Sequence, residues 1–533
     1  MSGVLDSAEM TRLLTLVEEA ARSTEEGVKH FVEPAPGTLR RTTSKRHHIV
    51  FGRRGSGKSS LLRKAAADLT VDRRPIAYVN LEAFKGHSYP DVLISVLIST
   101  LQEFKTWMDS AAIHPATRTS FWKKLFGTTP QRPCFNRAGA AKLSADLGSM
   151  IEILRAELHR KDDAEIRVTD GMESIATKAA SISAGADSGV ASVGASLAHE
   201  RAQARKQETE ETLRRCKIEL LHRHIIDYQN LFKTLGQMSE GDAYLFIDDL
   251  YHIRRADQAK VIDYFHRIAK DHSLWLKVGT IRHRTRWYVH GDPPTGVKLG
   301  DDADEIDLDL TLEKYELAKK FLAKILSNFA SSAGVGSHGE FLIDGALDRL
   351  VLASGGVARD FLSIFRRSVD VARERGGGHR GDRVGVEDVN VAAGEYDSAK
   401  REEFKRDTLD DTPPLDEEFR RLRAFCLEHN TNCFLLDKEH HGVEVTLIHE
   451  LVDLKLIHLV RSRVTVSGRP GRIYEAYMLD LSQYAGARKR RKLKMVEFWK
   501  AQSKEALRKS SLIYSGQEVE EATPGGGGRG GTS

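Results

Sequence analysis

The residues from Gly52 to Ser59, GRRGSGKS, have the spacing of a loop that binds phosphate groups. Its glycines let the backbone turn so that successive N–H groups face one phosphate chain, and a helix that starts behind the loop adds the positive end of its dipole. In this pattern Lys58 reaches the terminal phosphates and Ser59 supplies a hydroxyl ligand for Mg²⁺. The loop follows the apolar run 49–51 and precedes a helical pattern, which is the context the motif requires. The predicted nucleotide-binding residues of the loop are Gly52, Arg53, Arg54, Gly55, Ser56, Gly57, Lys58, Ser59 and Ser60.

A P-loop needs a second carboxylate to hold the metal and to orient water, and the stretch LFIDDL supplies one. Asp248 ends the apolar run 245–247, so we expect it to bind Mg²⁺ together with Ser59. Asp249 is then predicted to be the base or the water-positioning residue. Two acids at a turn are also typical of a solvated cap, but the P-loop in the same chain favours the functional interpretation.

Apolar strands alternate with helical patterns in residues 47–104 and again in 243–310, which predicts an α/β fold with a parallel sheet. The alternation breaks at about 109–239. Within that insertion, residues 177–200 are nearly all small. They are either a flexible linker or a protruding hairpin that contacts a protein partner.

With these motifs the sequence resembles AAA+ ATPases, in particular the branch with origin-recognition initiators and STAND-type signalling ATPases. The resemblance covers roughly residues 40–105 and 240–400. It implies ATP as the nucleotide, Mg²⁺ as the metal, attack of water on the γ-phosphate, and a helical lid after the sheet. The acidic pair is Asp-Asp where active members usually have Asp-Glu, which implies slow hydrolysis.

The resemblance also implies roles for residues beyond the P-loop. WLKVGTIRHR is similar to the sensor 1 strand and places Thr280 near the γ-phosphate; the following Arg282, Arg284 and Arg286 are either arginine-finger candidates or a solvated edge. ASGGVARDFLSIF is similar to the sensor 2 segment, so Arg359 is predicted to bind the nucleotide from the lid; the alternative is a surface arginine. The predicted catalytic residues are therefore Lys58, Asp249, Thr280, Arg282 and Arg286.

After two prolines at 413–414, a helix, a second helix and a hairpin around SGRPGR resemble a winged helix. Its hairpin offers cations for phosphate contact at Arg461, Arg463, Arg469 and Arg472. The helix VEVTLIHELVDLK is too acidic for a typical DNA-reading helix. Residues 485–511 hold ten Lys or Arg against two Glu, beside Phe498 and Trp499. This segment is either a nucleic-acid-binding helix or a solvated basic helix.

Composition fits a folded protein, since 40% of the 533 residues are hydrophobic and 29% are charged. The four cysteines form no CxxC motif, so no disulfide framework or zinc site is expected. The pairs His47–His48 and His440–His441 lack neighbouring ligands at metal spacing. We see neither an export signal nor a membrane-spanning run, which predicts a cytoplasmic protein that does not bind membranes.

The predicted segments are an N-terminal helix and linker at 1–36, a P-loop ATPase core at 37–310 with the insertion at about 109–239, a helical lid at 311–405, a winged-helix-like α+β domain at 411–484, and a basic helix with a disordered glycine-rich tail at 485–533. The leading hypothesis is a switch that couples ATP state to contact with double-stranded DNA or another nucleic acid, and that forms a homo-oligomer when ATP is bound. The alternative is a protein-sensing STAND-like ATPase without direct DNA binding, of the kind used in bacterial anti-phage defence.

Overall fold

The computed structural model describes residues 3–20, 30–71, 74–113, 138–160, 207, 211–239, 241–376, 382–407, 412–439, 442–484, 495–500 and 505–515. By their contacts the residues form two units. The sheet unit comprises Ser23–Gly52 and Gly57–Leu308, and the C-terminal unit comprises Met1–Arg22, Arg53–Ser56 and Asp309–Ser533. The predicted domain limits at 36, 310, 405 and 485 stay predictions.

The strands are β1 His48–Phe51, β2 Ile76–Asn80, β3 Ala243–Asp248, β4 Leu274–Thr280, β5 Tyr288–Val289, β6 Thr295–Gly296, β7 Asp304–Asp307, β8 Cys433–Asp437, β9 Ile457–Val464 and β10 Tyr474–Leu479. The helices are α1 Ala8–Ala20, α2 Thr38–Thr42, α3 Lys58–Val71, α4 Asp91–Ile113, α5 Ile225–Met238, α6 Arg255–Ala269, α7 Tyr315–Ala333, α8 His338–Phe341, α9 Ala346–Ser354, α10 Ala358–Arg375, α11 Val386–Asp407, α12 Thr412–Glu428 and α13 Val443–Asp453. Residues 138–160 and 211–223 are also helical. Among the described helices, none is both long and apolar enough to cross a membrane.

Five parallel strands form the centre of the sheet unit, in the order β2-β3-β4-β1-β7. Successive side chains of β1 enter opposite cores: Ile49 and Phe51 pack in one cluster and Val50 in the other. Both faces are covered, which explains why these strands are continuous apolar runs instead of alternating ones. The prediction of an α/β fold with a parallel sheet is confirmed.

The described part of the predicted insertion is helical. Helix α4 continues to Ile113, and buried residues from 138–160 and from α5, such as Leu147, Leu154 and Phe232, belong to the same core cluster as β3. This part of the insertion is therefore built into the core of the sheet unit. The small-residue stretch 177–200 lies outside the described residues.

Helices dominate the first part of the C-terminal unit, and an antiparallel sheet ordered β8-β10-β9 lies in its last part. Helix α1 buries Met10, Leu13, Leu14 and Val17 and contacts α7 and α10. The sequence predicts this N-terminal helix, but nothing in it indicates that the helix packs with residues more than 300 positions away. The helices, the C-terminal sheet and its hairpin agree with the predicted lid and α+β segment.

The predicted basic helix of residues 485–511 is wrong for the part that the structure describes. Residues 495–500 and 505–515 form turns and short 3₁₀ segments, and Ile513 pairs with Leu435 of β8. Phe498 is only 5% exposed, and Trp499 stacks on Tyr315 with ring centroids 5.8 Å apart. Buried apolar side chains pack this segment against the rest of the C-terminal unit. Their spacing does not match one face of a continuous helix. Most of the basic run itself, 485–494, lies outside the described residues.

Two buried histidines lie at the start of β1. The Leu276 N–H donates to His47 Nδ1 at 3.1 Å, and Lys277 Nζ lies 3.0 Å from His48 Nδ1. Burial lowers the pKa of both histidines to about 3 and the pKa of Lys277 to about 7. In both rings Nδ1 therefore has a polar partner on β4.

We expect the free energy of unfolding to fall as the pH drops from about 6.5 towards 3, because unfolded histidines then bind protons that the folded state excludes. His47→Asn keeps an acceptor for Leu276 but removes one titrating group. The pH slope of stability should decrease by up to one proton, about 1.4 kcal/mol per pH unit. Urea unfolding at several pH values measures this slope, and an unchanged slope would contradict the assignment.

Candidate nucleotide-binding site

The loop from Gly52 to Gly57 joins β1 to α3 and is held at its start by β4, because the Gly52 N–H donates to the Thr280 carbonyl oxygen at 3.2 Å. Gly55 and Gly57 have φ values of +87° and +100°, a region that glycine adopts without steric cost. A Cβ on Gly57 would meet no atom within 4 Å, whereas one on Gly55 would lie 2.7 Å from the Arg359 Cβ. Gly57 is therefore required only for its backbone conformation, whereas Gly55 also allows Arg359 to lie close to the loop.

Lys58 folds back over the loop. Its Nζ donates to the Gly52 carbonyl oxygen at 2.8 Å, and the side chain is 4% exposed. The hydroxyl of Ser56 is buried with no hydrogen-bond partner among the described residues. Helix α3 begins at Lys58, and the N–H groups of a helix's first turn have no acceptor within the helix. A loop with an orphaned buried hydroxyl, a lysine and a helix start fits a bound phosphate chain.

Parallel pairing brings the carboxyl end of β3 to the same edge of the sheet as the loop. Asp248, the last residue of β3, is 1% exposed. Its Oδ2 accepts from Tyr78 Oη at 2.6 Å and its Oδ1 accepts from the Asp249 N–H at 3.0 Å. Each oxygen retains a lone pair, and carboxylate and hydroxyl oxygens are the ligands that Mg²⁺ prefers. The donor chemistry of Asp248 and Ser59 suits Mg²⁺, and their role as its ligands stays a prediction.

Asp249 follows in the left-handed region, with φ +57°, and precedes the 3₁₀ turn Leu250–His252. Aspartate tolerates this conformation better than most residues. Ligand atoms of Asp249, Glu82 and His252 lie within 4.8 Å of one another. The Asp249 carboxylate therefore lies beside Glu82, just beyond the end of β2.

Tyr78, Glu82 and His252 are not among the residues that the sequence predicts for the site. Glu82 follows the end of β2, and β2 pairs with β3 so that Asn80 lies beside Asp248. An acid just beyond a strand end is a signal that sequence can give. The contact of Tyr78 with Asp248 depends on strand register, which the sequence does not specify.

Thr280 ends β4 beside Phe51 and is fully buried, with its hydroxyl next to that of Thr285. Arg282 contacts Glu305 and Asp307 of β7 at 3.2 and 3.3 Å.

The guanidinium of Arg282 also lies 4.1 Å from the centre of the Phe51 ring. Arg282 is thus bound within its own unit. The side chain of Arg286 is exposed, and its N–H donates to Gln258. The catalytic roles of Thr280, Arg282 and Arg286 stay predictions.

Residues 53–56 of the loop make their contacts in the C-terminal unit. The Arg53 N–H and Nε donate to Asp309 at 2.9 and 3.2 Å, and the Arg53 side chain is 3% exposed. These bonds direct Arg53 to Asp309, and its role in nucleotide binding stays a prediction. The Arg359 N–H, in the first turn of α10, donates to the Gly55 carbonyl oxygen at 3.2 Å. This places Arg359 next to the loop, and its role in nucleotide binding stays a prediction.

No protein-family model matches the chain, and no match appears among the curated proteins. Solved structures similar to it include Cdc6p from Pyrobaculum aerophilum, 10% identical over 86% of this chain and 90% of that one, with a TM-score of 0.29. The Orc1 protein of Aeropyrum pernix, solved in complex with DNA, is 15% identical over 85% of this chain and 91% of that one, with a TM-score of 0.32. TM-scores of this size do not establish a shared fold. The α/β P-loop fold is shown by the strand pairing and by the loop between β1 and α3.

Tyr78→Phe should lower the free energy of unfolding by about 1–3 kcal/mol, because it removes the donor to one oxygen of the buried Asp248 carboxylate. Tyr288→Phe, at a partly exposed tyrosine on β5, is the matched control. Urea denaturation of both variants and the wild type measures the difference. Equal losses in the two variants would show that the bond to Asp248 contributes nothing specific.

Proposed function

We propose that the chain is an AAA+-like switch that binds ATP with Mg²⁺, hydrolyses it slowly and couples its nucleotide state to contact between its C-terminal segment and nucleic acid. The observation that carries the proposal is the placement of Lys58 and the start of α3 at the sheet edge where β3 ends in Asp248. A parallel sheet with a glycine loop and a buried carboxylate at one edge is suited to phosphoryl transfer.

In this proposal each residue has a separate task. Lys58 and the first-turn N–H groups of α3 bind the phosphates, and Ser59 and Asp248 hold Mg²⁺, which when bound neutralises charge on the phosphates. Asp249 accepts a hydrogen bond from the attacking water. Its side chain is one methylene shorter than glutamate, so the water is held less closely and turnover is slow. Catalysis is then mostly positioning and charge neutralisation.

The hairpin of β9 and β10 supports contact with nucleic acid. Arg463 and Arg469 are exposed on it, and Arg461 is partly exposed. Arg472 donates to Asp437 at 3.1 Å, so part of its charge is neutralised within the fold. Cations on a hairpin contact phosphates without reading sequence.

A protein-sensing switch is the second candidate, and the C-terminal unit gives it specific support. Helix α13 has no lysine or arginine, and two of its three acids, Glu450 and Asp453, are buried. Phe498 is buried and Trp499 stacks on Tyr315, which removes the aromatic platform that the sequence suggested for bases. A helix without lysine or arginine is poorly suited to phosphate contact, which favours a protein partner, and ATP would then control self-association.

Lys58→Ala should abolish tight ATP binding, whereas Asp249→Asn should retain binding and lose turnover. The reason is that Lys58 contacts the phosphates and Asp249 orients only the water. Titration with a fluorescent ATP analogue measures binding, and phosphate release, with and without double-stranded DNA, measures turnover. Equal loss of binding in both variants would refute the division of roles, and turnover that ignores DNA would favour the protein-sensing alternative.

Arg463→Ala and Arg469→Ala should each weaken DNA binding at all sequences and reduce the slope of log affinity against log salt by about 1. Arg420→Ala is the matched control, because Arg420 is an exposed arginine of α12 that pairs with Asp416 away from the hairpin. Fluorescence anisotropy with labelled duplex DNA at several salt concentrations gives the slopes. A slope equal to that of the wild type in both hairpin variants would exclude the hairpin as a phosphate contact.

A further inference from the structure

A buried chain of polar groups in the C-terminal unit connects the loop residue Arg53 with strand β9 and helix α11. Arg53 Nη2 donates to the Gly355 carbonyl oxygen at 3.0 Å, and Nη1 lies 3.5 Å from Nδ1 of His458 on β9. His458 Nε2 lies 2.7 Å from Asp480 Oδ2, and the same oxygen accepts from Lys400 Nζ on α11 at 2.7 Å. Phosphate binding by the loop 52–59 does not by itself require these buried contacts of Arg53.

All members of the chain are shielded from water: the exposed fractions of the side chains are 3% for Arg53, 1% for His458, 0% for Asp480 and 1% for Lys400. With Asp309, two cations face two carboxylates, so the charges balance. Charges in such a setting are costly to separate, because removing one partner leaves another buried and unpaired. The groups should therefore move together.

The partners fix the protonation state of His458. Arginine only donates, so Nδ1 of the ring faces Arg53 as an acceptor, and Nε2–H must donate to the Asp480 carboxylate. Burial lowers the pKa of His458, which also favours the neutral ring. The neutral ring with its proton on Nε2 is the form that joins an arginine on one side to a carboxylate on the other.

Only glycine can occupy position 355 beside the His458 ring. A Cβ on Gly355 would lie 2.1 Å from His458 Cε1, and its φ is +57°. The turn after α9 therefore approaches the imidazole so closely that only glycine fits. The His458 ring is held in one place by the backbone as well as by its hydrogen bonds.

The link to the nucleotide passes through one peptide group. The carbonyl oxygen of Gly52 accepts from Lys58 Nζ at 2.8 Å, and the N–H of the same peptide, which belongs to Arg53, donates to Asp309 at 2.9 Å. A peptide group is planar and moves as one body. When Lys58 turns to a phosphate it leaves the Gly52 oxygen, which frees one side of a peptide whose other side is fixed to Asp309.

We propose that Arg53 is a positioning residue that couples nucleotide binding at the loop to the β9–β10 hairpin through His458, Asp480 and Lys400. The inference rests on the proposed function, because it requires ATP at the loop. A change in the Gly52–Arg53 peptide shifts the Arg53 guanidinium, and the buried chain transmits that shift to β9. The hairpin that carries the exposed arginines thus senses the state of the loop.

The test uses the full chain and measures backbone hydrogen exchange in peptides from β9 and β10, with and without Mg²⁺ and the slowly hydrolysed analogue ATPγS. We expect ATPγS to change these exchange rates by at least about fivefold in the wild type. His458→Gln keeps a donor for Asp480 but offers Arg53 no ring acceptor, so the change in exchange should be lost while ATPγS still binds. His429→Gln, at an exposed histidine that follows α12 and contacts Phe425, is the control and should retain the change.

The outcomes separate the inference from the proposed function. Binding of ATPγS with an unaltered exchange response in His458→Gln overturns the coupling and leaves the ATPase proposal standing, as does a wild-type response absent from β9 and β10. No binding of ATPγS to the wild type overturns both. If His458→Gln fails to fold by circular dichroism, Arg53→Lys tests the other end, because lysine keeps the charge near Asp309 but cannot also reach Gly355 and His458. Failure of both variants to fold would assign the buried polar groups a structural role only and overturn the inference.

Discussion

Parallel alignment of the five central strands is the constraint on which the candidate site depends. Because β1, β3 and β4 run in the same direction, their carboxyl ends meet at one edge, and residues far apart in sequence converge there. Gly52 follows β1, Asp248 ends β3 and Thr280 ends β4. The two cores on the faces of the sheet fix the strands, so the positions of these residues are set by packing and not by the loop itself.

A second recurring feature is that buried ionisable side chains have polar partners. Asp248 accepts from Tyr78, Lys277 donates to two backbone carbonyls, and Lys455 lies 3.2 Å from Asp360 in the C-terminal unit. Such groups add little net stability compared with apolar residues of the same size, but breaking one pair is costly. They therefore favour one register of strands and helices over alternatives.

The sequence was sufficient for the fold class and for the glycine loop between β1 and α3, because both depend on local patterns: apolar runs of strand length and glycines at fixed spacing. It was not sufficient for contacts set by register or by long-range packing, such as Tyr78 with Asp248 or Arg53 with His458. For the basic segment 485–511, a helix was predicted that the described part does not form. Its charge pattern predicted a helix, but Phe498 and Leu512 pack into the fold and determine its path.

The loop belongs to the sheet unit by its ends and to the C-terminal unit by its middle. Gly52 and Lys58 make their contacts with each other and with β4, whereas Arg53 and Gly55 contact Asp309, Gly355 and Arg359. This division is costly, since a buried arginine with an aspartate and a histidine costs more to assemble than an apolar contact. The division has a further physical consequence if the loop changes state. In the proposed coupling, a bound phosphate chain that takes Lys58 from Gly52 is such a change, and it acts on the Gly52–Arg53 peptide, to which both sets of contacts are attached.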